Sequence, residues 1–228
     1  MEKRIILNKP EAMIFDMDGT LFQTESLLVP VYHKMFDILR EEGHHEGATP
    51  PEELILGSLG MLLPDIWKRV IPNSTEAAKL RADELLLQLE LEGLEQGIGV
   101  LYPGVVDTLK ALHDYGVKLF VASNGLEHYV KGVAKAYGIA HLFDDLYSAG
   151  EYATASKVDL VKLLLDKHNI RSAWMVGDRS SDVEAGVENG QTVIGCAYAG
   201  FGREDELKGS NALLNDFTEL LTLYKQAE

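Results

Sequence analysis

Four short segments carry the residue types that do chemistry. Asp16-Met17-Asp18-Gly19-Thr20 sets two carboxylates two residues apart, directly after the apolar run Ala12 to Phe15. Such a pair can divide nucleophilic and acid-base work, although an Asp-Gly turn after a strand is also ordinary loop chemistry. Ser123-Asn124-Gly125 follows a second apolar run, Val117 to Ala122, and Gly177-Asp178-Arg179-Ser180-Ser181-Asp182 follows a third, Ala173 to Val176. Between them Lys157 stands at the expected start of a helix. A cation is disfavoured at a helix N-terminus, so Lys157 is better explained by function than by a solvated surface.

Elements that would position these residues are legible around them. The three runs, and a fourth from Thr192 to Gly195 before Cys196, are short, rich in branched or aromatic residues and poor in alternation, which suits strands buried on both faces of a parallel sheet. Helical patterns separate them. Pro103 and Gly104 open one that Gly116 ends, a second runs from Glu127 to Tyr137, Ser156 N-caps a third, and Gly186 and Gly190 bracket the end of a fourth. Alternating strand and helix predicts an α/β fold, a Rossmann-like core with a parallel sheet flanked by helices. From Phe22 to Gly99 the alternation stops and apolar residues recur at helical spacing, so this stretch reads as an inserted helical subdomain. Within it Asn73 with Glu76 resembles a capping box opening a helix with Leu80, Leu85, Leu86, Leu87, Leu89 and Leu91, which ends near Gly93. The expected division is 1–21 and 100–228 for the core and 22–99 for the insert.

Bulk properties narrow the function. The 228 residues are 46% hydrophobic, enough for a sizeable core, and carry 36 Asp plus Glu against 21 Lys plus Arg, a formal charge of -15. That field disfavours a broad electrostatic hold on nucleic acid or an anionic membrane. It would also oppose a phosphate ester, so a site for one must bring its own cation and directed donors. With Cys196 as the single cysteine no intrachain disulfide can form, the N-terminus does not read as a secretory signal, and no apolar run is long enough for a membrane span. The expectation is a cytoplasmic protein, monomeric or weakly homo-oligomeric.

In this order and at these separations the four segments resemble the haloacid dehalogenase superfamily, from Ala12 to the loop around Gly200. Together they are far more specific than any one alone. The resemblance implies that Asp16 attacks phosphorus to form an aspartyl-phosphate, and that Asp18 protonates the leaving alkoxide and then takes a proton from the hydrolytic water. It gives Mg²⁺ the Asp16 carboxylate, the main-chain carbonyl of Asp18, the Asp178 carboxylate and Asp182, direct or through water. Asp182 also reads as an acid in the first turn of a helix, favourable to its dipole without touching metal. Ser123 and the Asn124 N-H would hold phosphoryl oxygens, with Lys157 offsetting negative charge. Family members that cleave carbon-halogen bonds lack an aspartate at the position of Asp18, which disfavours dehalogenation.

The insert resembles the helical C1 cap of the phosphoglycolate phosphatase-like branch, hinged at Gly19 to Glu25 and Gly97 to Pro103. Such caps close over the core and select the leaving group. The expected activity is hydrolysis of a small phosphorylated metabolite. A sugar phosphomutase of the β-phosphoglucomutase type and a catalytically silent phosphate-binding relative are the alternatives. The stretch 22–99 has 14 acidic and 6 basic residues, so a second anionic group on the substrate finds few partners. Lys68 and Arg69 are candidates but read better as a charged helix face, and the loop from Gly57 to Met61 is the part expected to face substrate. His44-His45 suits a loop rather than a metal site, Gly97-Ile98-Gly99 a hinge rather than a dinucleotide motif, and Trp67 and Trp174 packing.

Overall fold

The computed structural model describes residues 7–59, 61–199 and 205–228. The loop around Gly200, and Gly60 of the loop expected to face substrate, lie outside the described residues. In chain order the elements are β1 (Ala12–Phe15), α1 (Glu25–Glu41), α2 (Glu52–Leu56), α3 (Leu63–Val70), α4 (Glu76–Glu95), α5 (Val105–Asp114), β2 (Lys118–Ser123), α6 (Glu127–Ala136), β3 (Asp145–Ser148), α7 (Ala149–Tyr152), α8 (Lys157–His168), β4 (Ala173–Gly177), α9 (Ser180–Glu188), β5 (Thr192–Cys196), β6 (Ala212–Leu214) and α10 (Glu219–Gln226).

The six strands among the described residues form one parallel sheet in the order β3-β2-β1-β4-β5-β6. β1 is buried along its whole length and lies inside the sheet, between β2 and β4. This explains why its run is apolar without alternation: helices cover both faces. The chain leaves β1 first toward β2 and β3, then returns to its other side for β4 to β6. Strand order therefore reverses at β1, and in open α/β sheets that reversal, at the carboxyl ends, leaves the crevice where ligands bind.

The four expected strands and the helices between them are present. Two strands went unforeseen. β3, Asp-Leu-Tyr-Ser, is only partly buried over its first two residues, and β6 is a three-residue edge strand whose Leu213 is exposed, so neither shows a continuous apolar run. Two details of the insert are corrected. The N-cap of α4 is Thr75, whose hydroxyl accepts from the Ala78 N-H at 3.2 Å, because the cap must directly precede the first helical residue. Asn73, three residues before Glu76, lies outside the helix. Of the leucine series, Leu85, Leu86 and Leu89 are buried, Leu87 and Leu91 are half-buried, and Leu80 is 63% exposed, since six leucines at these spacings cannot share one face at 3.6 residues per turn.

Among the described residues of 25–95 there are four helices and no strand. α1 packs along α4, and α4 in turn meets α6 of the sheet's helical layer. Two chain crossings join the insert to the sheet and run antiparallel there. Gln23 N-H donates to the Val100 carbonyl at 2.9 Å and Tyr102 N-H to the Leu21 carbonyl at 3.0 Å, beside an antiparallel bridge between Phe22 and Leu101. No helix among the described residues is long and apolar enough to cross a membrane.

Candidate active site

Sheet register brings the separated motifs to one edge. Phe15 pairs with Val121 of β2 and with Val176 of β4, so the residues that follow, Asp16, Ser123 and Asp178, all emerge at the carboxyl ends of three adjacent strands. Asp16 is 1% exposed, and its N-H donates to the Val176 carbonyl at 2.9 Å. Its Oδ1 lies 2.9 Å from Lys157 Nζ, whereas its Oδ2, also buried, has no hydrogen-bond partner among the described residues. Burial pushes the Asp16 carboxyl up to about 7 against the pull of Lys157, and the charges of Asp182 and Asp18 add to the rise.

Lys157 is the first residue of α8, capped by Ser156, whose hydroxyl accepts from the Asp159 N-H at 3.1 Å. Its ammonium is buried and bridges Asp16 Oδ1 and Asp182 Oδ1, the latter at 2.6 Å. Burial opposes its charge, but the two carboxylates outweigh burial and hold its pKa above the ordinary lysine value. That pairing explains a cation at an unfavourable helix end. Asp182 is fully buried in the first turn of α9, where Oδ2 accepts the Arg179 N-H at 2.9 Å. Both carboxylate oxygens of Asp182 thus have protein partners, one of them the helix-start amide.

Asp178 follows β4 and accepts from the Thr20 hydroxyl at 3.2 Å, with Arg179 Nε 3.6 Å away. Burial, and the neighbouring charges of Asp182 and Asp16, raise its carboxyl well above the usual range, against the pull of Arg179 and Lys157. Two glycines make this crowding possible. A Cβ on Gly19, which has φ +76°, would stand 2.5 Å from an Asp178 carboxylate oxygen, and one on Gly177 would stand 2.2 Å from the Asp182 carboxyl carbon. Asp16, Asp178 and Asp182 each offer an oxygen within 4.8 Å of the others. An all-oxygen donor set drawn from three buried carboxyls fits a hard divalent cation.

Asp18 is held apart from this cluster. Its Oδ1 accepts from the Thr24 hydroxyl at 2.6 Å and from the Tyr129 hydroxyl at 2.5 Å. Burial raises its carboxyl above the usual range, and these two donors temper the rise. Ser123 is buried at the end of β2, and its Oγ accepts the Gly125 N-H at 3.1 Å, which leaves its own hydroxyl proton to offer. Asn124 and Gly125 line a cavity of about 70 Å³ that begins at Asp18 and runs beneath the insert. Leu59 and Met61 of the expected substrate-facing loop line it too.

Thr20 stood in the first segment without a role of its own, and Thr24 and Tyr129 escaped the sequence reading because they lie outside the four segments. Glu90, buried on α4 and lining the same cavity, was hidden as one acid in a leucine-rich helix. Among the candidates set aside, His45 packs its ring edge-on to Phe36 and bonds to the Ala48 carbonyl at 3.1 Å, which is loop packing. Lys68 pairs with Asp65 at 2.7 Å on the surface, whereas Arg69 donates to the Gly57 carbonyl at 2.6 Å and so ties α3 to the end of α2. Trp67 and Trp174 are buried.

A profile of the haloacid dehalogenase-like hydrolases matches residues 10–190, which include every one of these site residues. The chain belongs to that family. It is 28% identical over 227 residues to a phosphoglycolate phosphatase of Haemophilus influenzae, covering 92% of this chain and 96% of that protein. To the pyrophosphatase PpaX of Bacillus pumilus it is 27% identical over 220 residues, covering 92% and 94%. Among solved structures, a predicted phosphoglycolate phosphatase from Haemophilus somnus shares the fold with a TM-score of 0.79 at 22% identity, covering 93% of this chain and 97% of that one. This haloacid dehalogenase-like hydrolase is an enzyme of the phosphatase type, with a Rossmann-like α/β fold and a buried acidic cluster able to hold a metal.

Proposed function

We propose that the chain is a Mg²⁺-dependent phosphomonoester hydrolase that acts on a small phosphorylated metabolite through an aspartyl-phosphate on Asp16. One observation carries this reading: Asp16 presents a buried oxygen with no partner, while Lys157 holds the other oxygen and Asp18 is tied separately by Thr24 and Tyr129. The two acids of the Asp-x-Asp pair are thereby given different tasks.

Asp16 Oδ2 attacks phosphorus, the bond from phosphorus to the ester oxygen breaks, and its electron pair leaves with that oxygen. Asp18, whose carboxyl burial holds above the usual range, supplies the proton. Water then attacks the phosphorus of the aspartyl-phosphate, Asp18 accepts its proton, and inorganic phosphate is released with Asp16 restored. The Ser123 hydroxyl and the Asn124 N-H orient the phosphoryl oxygens, and Lys157 offsets charge on Asp16 and the phosphate. Asp16, Asp178, Asp182 and the main-chain carbonyl of Asp18 would hold Mg²⁺, Asp182 with a carboxylate that also serves Lys157 and the α9 amide. When bound, the ion supplies neutralisation of the phosphoryl charge that the net charge of -15 makes necessary. The insert 22–99 acts as the cap, hinged where Gln23 and Val100 pair.

The test is hydrolysis of p-nitrophenyl phosphate with Mg²⁺. Asp16→Asn is expected to lose on the order of 10⁴-fold or more in kcat, in line with removal of a nucleophile elsewhere. Full activity in that variant, or none in the wild type with metal present, overturns the covalent reading.

A further inference from the structure

The cavity that begins at Asp18 has an uneven lining. Asp18, Thr24, Asn124 and Tyr129 form its sheet side, and Glu90 sits opposite on α4, between leucines and beneath the insert. No Lys, Arg or His lines it among the described residues. Glu90 is only 8% exposed, and its carboxyl has neither a hydrogen-bond nor an ion-pair partner among the described residues. Every acid at the sheet edge has such a partner. Asp83, the other acid of this wall, takes a hydrogen bond from the Trp67 indole N-H. Desolvation and the nearby Asp18 push the Glu90 carboxyl well above its ordinary range, the signature of a buried acid facing its like without a cation.

We propose that Glu90 reads the leaving group, and that the preferred substrate is a small phosphomonoester whose alcohol carries an amine. This rests on the phosphatase reading above and specifies its substrate class. An ammonium brings the cation this cavity lacks: Glu90 then gives up its proton and accepts a charge-assisted hydrogen bond, among the stronger polar contacts in a desolvated pocket. A leaving group with a second anion meets the reverse: it approaches Glu90, Asp83 and Asp18 with no cation to receive it. Specificity here comes as much from the missing cation as from the new bond. The substrate is then complementary to both ends of the site, phosphate toward Lys157 and the Ser123 loop, amine toward α4.

Initial rates on ethyl phosphate, 2-aminoethyl phosphate and 2-phosphoglycolate, measured with Mg²⁺ on the whole chain, decide the matter. The wild type is expected to show kcat/KM for the aminoethyl ester at least about tenfold above the ethyl ester, with phosphoglycolate below both. In Glu90→Gln the ratio of aminoethyl to ethyl turnover is expected to fall by about tenfold or more. Phosphoglycolate equal to or better than the aminoethyl ester in the wild type overturns the proposal, as does an unchanged ratio in the variant. The wild-type ranking needs no variant to fold. If p-nitrophenyl phosphate is hydrolysed while the ranking fails, only the amine reading falls; if no ester is hydrolysed, the phosphatase reading falls with it.

Discussion

The sheet edge and the insert wall both bury carboxylates, and they treat them in opposite ways. At the edge, strand ends from distant parts of the chain converge, so each acid meets a donor: Asp16 and Asp182 share Lys157, Asp178 meets Thr20, and Asp18 meets Thr24 and Tyr129. On the wall, a single leucine-rich helix face carries Glu90 into the cavity without a hydrogen-bond or ion-pair partner among the described residues. Parallel strands gather polar groups at a point, whereas a helix packed on apolar neighbours isolates whatever acid its stripe contains. On the proposed reading the fixed chemistry belongs to the edge and the choice of leaving group to the wall.

Stability separates the two regions most sharply, because removing charge should have opposite signs. Lys157→Met deletes the one cation between two buried carboxylates, and breaking a buried pair costs about 3 to 5 kcal/mol. Urea denaturation without added metal is expected to show a loss of that order. A change within experimental scatter would mean that Asp16 and Asp182 do not depend on Lys157, and the edge would lose its contrast with the wall.

Glu90→Gln is expected to do the reverse, and to do so in a pH-dependent way. The folded protein holds the Glu90 carboxyl well above the 4.5 of an exposed glutamate. As pH rises past 4.5 the unfolded chain releases this proton first, so it binds fewer protons than the folded state and wild-type stability declines. Glutamine has no proton to release. The advantage of the variant over wild type should therefore be small at the acid end and grow toward neutral pH, each unit of displacement being worth about 1.4 kcal/mol. A difference that stays flat across that range would show that Glu90 is charged and satisfied in the fold.

This contrast also explains what could be read from the chain. β1, β2, β4 and β5 were legible because strands buried on both faces need uninterrupted apolar runs; β3 begins with Asp145 and β6 is three residues at an edge, and neither has such a run. Asp16, Asp18, Ser123, Lys157 and Asp178 were legible as motifs because each lies at or just past a strand end or opens a helix. Tyr129 was not, since its partner Asp18 lies 111 residues away and only the fold joins them. Glu90 was invisible for a related reason. One acid among leucines has the composition of a solvated helix face, and only the packing of α4 reveals that this one is buried.

The smallest expected effect asks whether the wall acts as a distinct unit. α4 carries Glu90 and Asp83, and it starts from the Thr75 cap. Thr75→Ala removes the bond to the Ala78 N-H, a loss of about 1 kcal/mol for a helix cap. Asn73→Ala, which leaves that cap in place, should cost less in the same denaturation series. The cap lies about 15 residues from Glu90, some 22 Å along the helix at 1.5 Å per residue, so loosening the first turn should leave the ranking of leaving groups as it was. If Thr75→Ala shifts the ratio of aminoethyl to ethyl turnover as Glu90→Gln does, selection depends on the stability of the whole helix. An unshifted ratio places the selection at Glu90 itself, on the part of α4 that faces Asp18 across the cavity.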